Sequence, residues 1–171
     1  MKNLYCSCGV SRRNFLSSLA GLGAATVLPT SANAQANSAV IGNRDKIDTH
    51  HHFFAPTLVA EMVSKKLAQK PALDWSVKNT IDDMDAAGTK TSILSATTPQ
   101  VSFLDPAMAK KIARENNEYA AKVAGDHKGR FGSFAMLPMQ NMDDALREIE
   151  YSMDVLKADG IGLLTSYGDK W

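Results

Sequence analysis

The sequence has 171 residues, 44% of them hydrophobic and 22% charged, a globular balance that excludes disorder and collagen-like structure. Nineteen basic against eighteen acidic side chains give a net charge of +1, which leaves no basic field for nucleic acid and points to a small-molecule partner. Both cysteines, Cys6 and Cys8, fall in the first ten residues, so a chain without them has no thiol for a disulfide or a metal.

Residues 1–34 read as an export signal. Lys2, Arg12 and Arg13 have no acidic neighbour, and they precede a mildly apolar stretch from Phe15 to Leu28. That stretch is too short and too diluted by Ser, Gly and Thr for a membrane span of about 20 residues. Pro29 interrupts it, and Ala32-Asn33-Ala34 supplies small residues two positions apart, so cleavage is expected after Ala34, leaving no membrane segment. Ser11-Arg12-Arg13-Asn14-Phe15-Leu16 resembles a twin-arginine signal, which predicts a periplasmic or otherwise exported protein. Residues 35–45 are small and polar and read as a flexible lead-in to a domain over 46–171.

From Lys46 onward short apolar runs alternate with segments of helical period, the pattern of βα units around a parallel sheet. Strands are predicted over 46–53, 91–97, 131–137 and 160–165. Helices are predicted over 57–69 and 80–87, the latter closed by Gly88. Another starts at Asp105-Pro106, an N-cap followed by a first-turn proline, and runs to Ala124. A last helix opens at Asn141, with Met142, Ala145, Ile149, Met153 and Leu156 as the stripe expected to face the sheet.

A (β/α)8 TIM barrel takes roughly 250 residues, so four strands make an α/β half barrel, the first four βα units. A fourth strand followed at once by Trp171 lacks its covering helix. The sequence therefore predicts a piece of a longer barrel, inactive by itself; a homodimer or a smaller open sheet is the alternative that would cover the edge.

His50-His51-His52 ends the first strand. Strand alternation sends His50 and His52 to one face and His51 to the other, and two imidazoles at the C-terminal mouth of a barrel are a metal-ligand pair. Asp48 shares their parity and is expected to accept a hydrogen bond from a ligand ring or to pack in a polar layer. The bland alternative is a solvated histidine cluster. His127, before the third strand, falls at the opposite end of the barrel and reads as a surface loop residue. Phe53, Thr97, Thr98, Met139, Thr165 and Tyr167 follow strand ends and are the candidate substrate contacts, though Phe53 also suits a core.

Ile47-Asp48-Thr49-His50-His51-His52-Phe53-Phe54-Ala55-Pro56 resembles the first-strand signature of the amidohydrolase superfamily, and Met84 to Ser95, Gly129 to Gly132 and Ala158 to Trp171 are similar to its decarboxylase branch. The resemblance implies a TIM barrel holding one divalent metal, zinc first and manganese second, with His50 and His52 as first-strand ligands. It places the remaining ligands and the catalytic residues beyond Trp171. The activity implied is non-oxidative decarboxylation of an aromatic or unsaturated carboxylic acid; a lactone or amide hydrolase of the same superfamily is the alternative.

Overall fold

A computed structural model of the protein describes residues 46–167; Arg12, Arg13 and Ala34, on which the export reading rests, lie outside them. Four strands, β1 (Lys46–His52), β2 (Thr89–Ser95), β3 (Phe131–Met136) and β4 (Gly160–Gly162), form one sheet in the order β1-β2-β3-β4. All three pairings are parallel. Sequential order without reversal is the winding of a (β/α)8 barrel, whereas a doubly wound sheet changes direction at a switch point.

Helices join the strands. The first crossover holds α1 (Pro56–Ser64), α2 (Lys70–Asp74) and α3 (Val77–Ala87); α4 (Pro106–Asp126) and α5 (Met142–Asp154) fill the second and third. The capping chemistry expected from sequence is present: Asp105 accepts from the Met108 N–H, and Asn141 accepts from the Asp144 N–H. Gly88 closes α3 at φ 68°, a left-handed conformation that glycine adopts without penalty. The first crossover differs from expectation. Lys66 turns to φ 59° and ends the helical stretch early, and α2 and its following Trp75 had no periodic signal to mark them. Among the described residues no helix is long and apolar enough to cross a membrane.

The core lies between sheet and helices. Ser92 and Leu94 of β2 pair with Phe131 and Ser133 of β3, and all four are buried. The opposite face of the sheet is open where Ile47 stands 62% exposed. Phe53 is fully buried, packed against Trp75 and stacked on Tyr119.

The α5 stripe requires a correction. Of the expected stripe Ala145 is buried and Ile149 and Leu156 are half-buried, but Glu148 and Ser152 face inward beside Ala145, while Met142 and Met153 are exposed. A polar network sets this rotation. Glu148, 2% exposed, accepts from Arg114 at 2.8 Å and from Asn117 at 2.9 Å, and the Ser152 hydroxyl lies 3.4 Å from it. Arg114 also covers the face of Tyr151, 3.5 Å from the ring centroid. A buried carboxylate must be paired, so the helix turns the glutamate inward to meet its partners and leaves the methionines to solvent. β4 is also shorter than expected, ending at Gly162 rather than Thr165. Its tight packing is visible one strand earlier, where a Cβ on Gly132 would stand 2.4 Å from Asp159 Oδ2.

Candidate functional site

β1 is not a regular strand. Asp48 pairs with Ser92 and His51 with Leu94, so three steps along β1 match two along β2. The extra residue is accommodated because Asp48 Oδ1 accepts the His50 N–H at 3.0 Å, a local side-chain bond that takes this donor off the ladder. The bulge corrects the expected role of Asp48. Registered with the helix-facing Ser92, it lies on the side of His51, and its Oδ2 is 3.4 Å from His51 Nδ1. It does not reach the rings of the proposed ligands; it holds the backbone of one of them.

His50 and His52 are brought together as expected, their rings edge to face with centroids 4.7 Å apart. His52 Nδ1 lies 3.3 Å from the Ser95 carbonyl and 3.4 Å from the Ser95 hydroxyl. A carbonyl only accepts, so this contact suits the tautomer with the proton on Nδ1, which leaves Nε2 as the donor to a metal. Two such donors suit a divalent cation but fill only part of a coordination shell. Among the described residues no group of three or more His, Cys, Asp or Glu side chains converges. His127 follows α4 at the other end of the sheet, its ring edge-on to Phe131, as expected for a residue with no part in this site.

A cavity of about 660 Å³ opens beside the histidines, between the ends of β1 and β2 and the three helices of the first crossover. His51, His52, Thr97 and Thr98 line it, together with Phe54, Met62, Trp75 and Asn79. Of the candidate substrate contacts, Thr97 and Thr98 line this cavity. Phe53 does not; it belongs to the core, because the strand ends at His52 and its ring turns toward Trp75 and Tyr119. Met139, Thr165 and Tyr167 do not line this cavity, and the Tyr167 hydroxyl instead accepts the Leu164 N–H at 3.0 Å. The sequence does not mark Trp75 or Asn79: Trp75 caps a five-residue helix too short to show a period, and Asn79 lies in the first turn of α3, ahead of the start expected at residue 80.

Residues 47–171 match the family described as Amidohydrolase. The chain is 39% identical over 132 residues to decarboxylase yanB of Aspergillus niger, covering 72% of this chain and 35% of that protein. It is 36% identical over 130 residues to 6-methylsalicylic acid decarboxylase acuB of Aspergillus aculeatus, covering 72% of this chain and 38% of that protein. Among solved structures it is similar to a dihydroxybenzoic acid decarboxylase from Polaromonas sp. with bound manganese and the inhibitor 2-nitroresorcinol, at 28% identity and a TM-score of 0.58, covering 68% of this chain and 37% of that one. The chain thus spans less than two fifths of the length of these three proteins.

Proposed function

The chain belongs to the amidohydrolase family, and on that premise we propose that it serves a metal-dependent, non-oxidative decarboxylase of a substituted aromatic carboxylic acid. The observation that carries the reading is the edge-to-face pair of His50 and His52 in a chain similar to named decarboxylases. Those names favour decarboxylation over the hydrolase alternative.

His50 and His52 would hold the cation, each through one ring nitrogen. Manganese is assigned ahead of zinc, because the Polaromonas structure contains manganese. When bound, the cation supplies a positive charge that anchors substrate oxygens and offsets negative charge developing in the reaction. Ser95 fixes the His52 ring through Nδ1, and the Asp48 carboxylate fixes the backbone at His50. Phe54 and Trp75 wall the adjoining cavity with apolar surface, which excludes water from the ring of a bound substrate. In the overall reaction the bond between ring carbon and carboxyl carbon breaks, its electron pair stays on the ring, and that carbon takes up a proton as CO2 leaves.

The test uses protein produced from its complete gene and loaded with manganese. Incubated with 2,6-dihydroxybenzoate or 6-methylsalicylate in D2O, it is expected to release CO2 and leave one deuterium on the carbon that bore the carboxyl group. Hydrolysis of lactones or amides with no CO2 from any aromatic acid would sink the proposal.

Export through the twin-arginine route is part of the same reading, supported by Arg12-Arg13 and Ala32-Asn33-Ala34. Protein recovered from the exported fraction is expected to begin at Gln35, and replacing both arginines by lysine should hold the precursor in the cytoplasm. An intact mass that retains Met1 on exported protein contradicts it.

A further inference from the structure

The cavity beside His52 has a one-sided charge. Its apolar wall comes from Phe54, Met62, Trp75 and Pro99, and its polar wall includes Asn79 and Asp83. Among the described residues no lysine or arginine lines it, while two carboxylates, Asp74 and Asp83, do. They are not equivalent. Asp74 is ion-paired with Lys70, and the neighbouring Asp82 with Lys78, whereas Asp83 makes no ion pair among the described residues. At the other end of the lining stands His52, edge to face with His50, the imidazole pair proposed to hold the cation that would anchor an anion.

We infer that this cavity receives the ring and non-reacting substituents of the substrate, and that Asp83 makes it selective for aromatic monocarboxylates over rings bearing a second anionic group. The inference rests on the decarboxylase reading for the direction in which the reacting carboxylate points. With that group at the histidines, a ring would enter the cavity that Phe54 and Trp75 help to line, and a volume near 660 Å³ leaves room for methyl or hydroxyl substituents. A second carboxylate would enter a space whose described lining has no lysine or arginine, and would face the Asp83 carboxylate. Neutral substituents lose nothing there. This is selectivity by an unfavourable element, which requires no added affinity for the preferred ligand. Asp83 is exposed, so salt screens it and its share of the discrimination is modest.

The test reads equilibrium binding by calorimetry, with 2-hydroxybenzoate and its 5-carboxy derivative as probes and the manganese-loaded protein from the complete gene. The wild type is expected to bind the monocarboxylate roughly tenfold more tightly, at the low end of the cost of juxtaposing like charges. Asp83→Asn should shrink that ratio about threefold, and Asp83→Lys should shrink it further. Because Asp83 is a surface residue, both variants should fold, which their melting curves would verify. Binding of neither probe, or a ratio unmoved by Asp83→Lys, overturns the inference. Decarboxylation with an unmoved ratio overturns the selectivity alone and leaves the activity standing; selective binding without CO2 release does the reverse.

Discussion

Replacing His50 or His52 by alanine is expected to reduce the manganese retained after desalting by a hundredfold or more, and to remove turnover with it. A two-imidazole contribution has no redundancy, so losing either donor costs far more than the roughly 10- to 100-fold typical of an outer partner. The same measurement separates the three histidines. His51 turns to the other side of β1, against Asp48, so His51→Ala should leave metal content near the wild-type level. Asp48 offers a graded control. Asp48→Asn keeps an oxygen for the His50 N–H and should preserve the bulge, whereas Asp48→Ala frees that N–H and is expected to loosen metal binding by about tenfold. Equal metal loss for all three histidine variants, read by elemental analysis, would mean that the segment does not present its side chains as described.

The second large effect concerns stability. Asn117, 4% exposed, uses its side chain as a substitute for strand pairing at the end of β3: Oδ1 accepts the Met136 N–H at 2.8 Å, and Nδ2 donates to the Met136 carbonyl at 2.9 Å. The same Nδ2 lies 2.9 Å from Glu148 Oε1. Asn117→Leu is close in size but strips partners from two backbone groups and from a buried carboxylate. A cost of about 3 kcal/mol is expected, each orphaned buried group contributing on the order of 1–3 kcal/mol with partial relief by relaxation. Glu148→Gln should cost less, about 1–2 kcal/mol, since it keeps an acceptor for Asn117 while its NH2 replaces the oxygen that accepts from Arg114, which is half-exposed and can turn to water. Chemical denaturation of the two single variants and the double variant gives the coupling directly. A loss under 1 kcal/mol for Asn117→Leu would show that the end of β3 does not depend on this side chain.

Much of the architecture follows from local patterns in the chain. Alternation of short apolar runs with capped helical segments determined the parallel βα order, and Asp105-Pro106 and Asn141 marked their helices because a cap is a contact between residues three apart. Local sequence likewise determined that His50 and His52 share a face, since residues two apart in extended chain do so wherever the strand is placed. Only the tertiary structure decided the partner of Asp48, because a bulge depends on the register with β2 and one inserted residue transfers everything before it to the opposite face. It also decided the rotation of α5: hydropathy favoured Met142 and Met153 for the core, but Glu148 had partners waiting on another helix, 34 residues away at Arg114 and 31 at Asn117. The cavity wall belongs to the same class. Trp75, Asn79 and Asp83 acquire their place from the way three helices fold back over the ends of two strands, a proximity between distant positions that no period within one segment encodes.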